Sequence, residues 1–189
     1  MTSPATVGGD ERLRLFLALR LPETVLDGLE AWQHAQLREV RVVPRHHLHV
    51  TLAFLGHRPA VELEPILGEL RAAAAAAGSE LRLRSVRYRE TRSVGMLVLD
   101  DEEGRATALA DDVQARLEAL GAYRREGRAW LPHLTVARFR ERPRLRLDPP
   151  DLGTFVPSDA AAYLSRLRPS GAQYEVLESV PLGAQLGGR

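Results

Sequence analysis

Two short segments of the chain follow one pattern, His49-Val50-Thr51-Leu52 and His133-Leu134-Thr135-Val136, each reading histidine, apolar, threonine, apolar. Successive side chains of a β-strand point to opposite faces, so in each segment the imidazole and the hydroxyl share a face while the apolar partners enter a core. Two such strands side by side bring two imidazoles and two hydroxyls to one groove. Histidine gives or takes a proton near neutrality without special burial. A pair with one neutral and one protonated ring suits in-line attack at a phosphodiester. Either segment alone fits an ordinary polar residue on a strand; repetition in like apolar surroundings is what points to chemistry.

The elements that must position these groups alternate along the chain. Residues 13–21 predict a strand, and Pro22-Glu23 opens a helix to about residue 37, with proline at its permitted first turn. The first motif strand is expected over residues 48–55, ended by Gly56. A helix follows over residues 59–77, stopped by Gly78. Strands are expected over residues 80–89 and 94–99, a helix over 105–120, and the second motif strand over 131–139. A proline-rich irregular segment, 142–157, leads to strands near 160–167 and 174–182. Each half thus reads strand, helix, motif strand. The order predicts an α+β fold of two pseudo-symmetric lobes, with the motif strands lining a central cleft. Because the cleft is shared, residues 12–189 are expected to form one domain behind a loose tail at residues 1–11.

Composition narrows the function classes. The chain has 189 residues, 44% hydrophobic and 27% charged, with a net charge of only +1, so nothing drives it globally onto long nucleic acid. Cysteine is absent, which removes disulfides, thiolate metal sites and thiol nucleophiles. Every basic residue among the 26 is arginine, so there is neither a Walker lysine nor a lysine nucleophile, and any end-joining must proceed without ATP. The first residues lack the basic start and apolar run of a signal peptide, and no segment approaches the roughly 20 apolar residues of a membrane helix. A cytoplasmic protein without membrane association is expected. His46, His47, His49 and His57 suggest a metal cluster at first sight. In an extended chain, however, His46 and His47 point oppositely, no carboxylate partner is spaced for them, and the second histidine motif would go unexplained. No metal and no cofactor are expected.

Four blocks resemble the 2H phosphoesterase superfamily, and within it the RNA 2′,3′-cyclic phosphodiesterases also called 2′-5′ RNA ligases. They are Arg14-Leu15-Phe16-Leu17-Ala18-Leu19 followed by Pro22; Val43-Pro44 before Leu48 to Gly56; Pro132 to Arg138; and Tyr163 to Leu167 with Gly171, Tyr174 and Pro181-Leu182. Family members often carry an aromatic residue just before the Val-Pro pair, where this chain has Val42. The resemblance implies the bilobal fold, with antiparallel sheets lining the cleft and helices outside. It also implies hydrolysis of 2′,3′-cyclic phosphate at RNA or nucleotide ends to a 2′-phosphate, with ATP-independent 2′-5′ joining as the reverse chemistry. It gives His49 the protonation of the leaving 3′ oxygen and His133 the service of water; the motifs' own symmetry leaves that assignment open.

Thr51 and Thr135 are expected as donors to the phosphoryl oxygens. The resemblance makes Arg138 a phosphate contact, whereas strict alternation turns it away from His133 unless a bulge intervenes. Phe16 is a candidate platform for a base or ribose, with simple core packing as the competing reading; Trp130 shares that ambiguity. The other substrates to weigh are a small nucleotide such as ADP-ribose 1″,2″-cyclic phosphate and a 2′-5′-linked oligonucleotide. A different class is a non-catalytic RNA-end binding module. The protein is expected to act as a monomer.

Overall fold

Alternating leucines draw the first segment into strand β1 (Arg12–Arg20), and Pro22 starts helix α1 (Glu23–Gln36) in the computed structural model, which describes residues 11–78, 80–169 and 171–183. A two-residue strand β2 (Arg41–Val42) and a 3-10 turn lead to β3 (Val50–Pro59), then α2 (Leu63–Ala76), β4 (Leu83–Glu90), β5 (Val94–Asp100) and α3 (Arg105–Ala119). The second motif lies on β6 (His133–Arg138), followed by the short β7 (Thr154–Phe155), β8 (Asp159–Arg168) and β9 (Gly171–Val180). Most of the expected tail lies outside the described residues.

All pairings are antiparallel, and the strands form one curled sheet in the order β7-β4-β5-β6-β3-β1-β8-β9, with β2 beside β6. Read outward from its middle, the order is palindromic: β3, β1, β8, β9 on one side answer β6, β5, β4, β7 on the other. The two lobes meet where β3 and β6 share the single pair Val50 and Leu134.

The helices cover the outer face. Their apolar stripes recur at helical spacing, as in Val25, Leu26, Leu29 and Trp32 of α1 or Ile66, Leu67, Leu70 and Ala73 of α2. With Leu17, Leu52, Leu97 and Leu134 from the strands they build the main core. A smaller apolar cluster, Phe16, Ala18, Ala161 and Tyr163, sits on the sheet's other face. Among the described residues no helix is long and apolar enough to cross a membrane.

The structure departs from expectation at a few element boundaries. Gly56 does not end β3. It takes a left-handed φ of 67° opposite Leu15, beside a register shift, and the strand continues to Pro59. There glycine makes the bulge that side chains resist. The helix expected from residue 59 begins later, after a 3-10 turn at Ala60–Glu62. β2 and β7 are too short to show as a pattern in sequence.

Candidate active site

His49 stands immediately before β3 and His133 is the first residue of β6. Their rings are held identically: Nδ1 lies 2.8 Å from the His47 carbonyl in one case and 2.8 Å from the Leu131 carbonyl in the other. A carbonyl only accepts, so Nδ1 donates, and each neutral ring keeps its lone pair on Nε2. Both histidines line one cavity of about 600 Å³, together with Thr51, Thr135, Arg138 and Phe16. Arg14, Arg41, Phe54 and Tyr174 complete much of its wall.

A bulge decides where Arg138 goes. Met96 pairs with Thr135 and Gly95 with Ala137, which leaves Val136 unmatched. Val136 and Ala137 both turn into the core, alternation restarts one residue late, and Arg138 returns to the face of His133 and Thr135. β3 does the same at the same offset. Ala18 pairs with Thr51 and Leu17 with Ala53, so Leu52 is the extra residue and Phe54 reaches the cavity. Phe54 therefore holds in the first half the place that Arg138 holds in the second.

Each bulge is secured from behind by a buried glutamine. The Gln33 side-chain amide of α1 donates to the carbonyls of Val136 (2.9 Å) and Val43 (3.0 Å), and that of Gln114 in α3 donates to Leu52 (2.9 Å). The Val136 carbonyl also accepts from the Val43 N–H at 2.9 Å, so Gln33 adds a second donor there and ties the bulge to the segment before the first motif, a buried hydrogen bond being worth about 0.5–1.5 kcal/mol. Neither glutamine was expected, although each stands within an otherwise apolar helical stripe. The Trp130 indole N–H donates to the Thr51 carbonyl at 2.9 Å, which fixes that strand from the cavity side.

Phe16 is 3% exposed. Its ring stacks on Tyr163 at 4.7 Å, lies 4.9 Å from the His49 ring, and meets the edge of Tyr174 at 4.9 Å. It backs His49 and offers little open face; the open aromatic is Phe54, 49% exposed, with the Arg14 guanidinium 4.7 Å above its ring. Arg14 also donates to the Ser165 hydroxyl at 2.7 Å.

The surroundings of the two imidazoles differ. Burial pushes His49 down to about 4, helped by the positive charges of His47, His133 and Arg138 and opposed by its bond to the His47 carbonyl. Burial, then His46 and Arg138, lowers His47 as well. The turn before the first motif is pinned to α1 by Arg45, which donates to Asp27 and Glu30 at 2.7 Å each and also to Glu23. Among the described residues no group of three or more histidine or carboxylate side chains is placed to hold a metal ion.

Residues 21–171 match the family described as the 2′-5′ RNA ligase superfamily. The chain is 35% identical, over 93% of its own length and 93% of the other's, to an RNA 2′,3′-cyclic phosphodiesterase of Thermus thermophilus. Among solved structures it resembles TT0787 of Thermus thermophilus, at 34% identity and a TM-score of 0.73 over 92% of this chain and 100% of that one. It shares its fold with E. coli LigT complexed with NADP+, at 21% identity and a TM-score of 0.78 over 93% of this chain and 100% of that one.

Proposed function

The chain belongs to the 2′-5′ RNA ligase superfamily, and on that premise we propose that it hydrolyses 2′,3′-cyclic phosphates at RNA or nucleotide ends to 2′-phosphates. The observation that carries this reading is the pair of imidazoles in one cavity, each with Nδ1 tied to a backbone carbonyl and Nε2 left for proton transfer. One ring takes a proton from water as its oxygen attacks phosphorus. The bond from phosphorus to the 3′ oxygen breaks, and the other ring protonates that oxygen. Thr51, Thr135 and Arg138 are the groups available to hold the non-bridging oxygens.

Family likeness gives the leaving oxygen to His49 and the water to His133. In the free protein burial keeps His49 neutral. The cyclic phosphate brings a negative charge beside it, and an opposite charge within about 4–6 Å favours the imidazolium. Substrate therefore loads the acid with its proton. Phe16 serves here as the support behind His49. Residues 12–189 act as one domain, because the cleft that does the chemistry is built from both lobes. No step requires a metal or a cofactor, and an RNA-end substrate fits a monomer working in the cytoplasm.

Product analysis on a panel of cyclic phosphates, with a chelator present, tests the reading. Turnover of a nucleoside 2′,3′-cyclic phosphate to the 2′-phosphate is expected, with slower turnover of ADP-ribose 1″,2″-cyclic phosphate. No turnover would leave a binding module, and activity lost to chelator but restored by zinc or magnesium would overturn the two-histidine route. A 3′-phosphate product would show that the leaving oxygen is the 2′ one.

A further inference from the structure

The palindrome in strand order has a counterpart in space. The cavity that holds both histidines is walled by the segment before the first motif and by the β8–β9 hairpin. A second cavity, about 550 Å³, is walled by the segment before the second motif, Tyr123 to Leu131, and by Arg89 and Thr91 at the β4–β5 hairpin. In the outward order of the sheet β4 answers β8, so both walls include the C-terminal end of an equivalent strand, although β8 turns into β9 and β4 turns into β5. Thr51, Phe54 and His133 line both cavities, and the second opens directly from the reacting groups.

The two differ in chemistry. Arg14, Arg41 and Arg138 line the first cavity. Both hold aromatic side chains, Phe16, Phe54 and Tyr174 in the first and Phe54, Tyr123 and Trp130 in the second, but of the second cavity's two arginines Arg128 is tied to Glu126 at 2.7 Å and Arg89 is exposed. A phosphodiester carries a nucleoside on each side of phosphorus, one of which ends in the charged cyclic phosphate while the other presents a neutral 5′-hydroxyl. We propose that the second cavity takes the nucleoside with the free 5′-hydroxyl, the acceptor in ATP-independent joining; this rests on the two-histidine reading above. The acceptor's 5′-hydroxyl gives its proton to one imidazole as its oxygen bonds to phosphorus. The bond from phosphorus to the 3′ oxygen breaks, that oxygen takes a proton from the other imidazolium, and a 2′-5′ diester results. Water in place of the acceptor gives hydrolysis. Arg89, exposed at the rim, is the cation for a phosphate one residue along the acceptor strand.

The test uses an RNA dinucleotide ending in a 2′,3′-cyclic phosphate as donor and the 5′-hydroxyl dinucleotide adenylyl-adenosine as acceptor. Two exposed positions that line the second cavity and not the first are changed, Ala129→Trp to fill the cavity and Arg89→Glu to repel the acceptor's phosphate. Joined and hydrolysed products are quantified, and acceptor binding without donor is followed by NMR titration. Each variant is expected to cut joined product and acceptor affinity about tenfold, the scale of one lost base-stacking contact, while donor hydrolysis stays near the unmodified level. Joining that is unaffected, or that falls only in step with hydrolysis, overturns the proposal. So does an unmodified protein that neither joins nor binds the acceptor. Absence of donor hydrolysis would instead strike at the two-histidine reading, and the titration would still decide whether the cavity holds a nucleoside.

Discussion

Burial and one backbone carbonyl set what His49 can do before any substrate arrives. The Nδ1 bonds of the two histidines match, so their difference lies in surroundings: His49 sits against Phe16 with Tyr163 behind it. His49→Ala and His133→Ala are each expected to lose roughly 10²- to 10⁴-fold in turnover while keeping the fold, as for removal of a proton-transfer group. Near-normal activity in either variant would end the two-histidine account. The lowered pKa of His49 also makes a stability prediction. Between its folded value of about 4 and its ordinary value of 6.5 the unfolded chain binds the extra proton. Its contribution is therefore complete above the ordinary value and is lost as pH falls through that window, by about 3 kcal/mol at most. Urea midpoints at pH 7 and pH 4.5 measure it, and His49→Gln is expected to lose less stability on acidification than the unmodified chain. By the same linkage a phosphate that returns the proton to His49 binds more weakly as pH rises through the bound-state pKa.

The motif strands show why spacing alone misplaces Arg138. Strict alternation sends a residue five positions after His133 to the wrong face, and the bulge at Val136 sends it back. The signal is in the sequence: Leu52-Ala53 and Val136-Ala137 each set two apolar residues in succession after the motif threonine, which one face of a regular strand cannot hold. A glutamine in each covering helix is the second half of that signal, because a polar side chain amid an apolar stripe needs a buried partner. Helices and long strands are legible because their periodicity spans many residues, whereas β2, β7 and the late start of α2 depend on a few contacts with distant segments. If Gln33 holds the bulge that aims Arg138, Gln33→Met weakens binding of a 2′-phosphate product much as Arg138→Ala does, by about 1.5–3 kcal/mol. The double variant adds little to either single one, and Gln114→Met, which acts behind Phe54, spares phosphate affinity. A calorimetric double-mutant cycle checks this, and additive losses would make Gln33 an ordinary packing residue.

At the scale of the molecule, the repeated strand-helix-motif order announces two lobes, and the palindromic sheet carries that repetition into three dimensions. What the repetition cannot announce is its own breakage: an arginine in one half stands where the other has a phenylalanine, so only one of the two bulges brings a positive charge to the cleft. Strands β3 and β6 share the one backbone pair of Val50 and Leu134, flanked by the two histidine motifs, while β2 against β6 and the Gln114 and Trp130 bonds to β3 brace the same line. With one rung between them, β3 and β6 form the least ladder-bonded line of the sheet, while the long ladders on either side are fully paired. An anion touching both motifs acts as a stitch across the weak line. Amide exchange at Val50, Leu134 and their neighbours is therefore expected to slow on adding a 2′-phosphate nucleotide, with the outer strands β4 and β8 unchanged, as hydrogen-exchange mass spectrometry would register. Uniform slowing would show that the ligand stiffens the whole sheet and that the line between the lobes has no mechanical identity of its own.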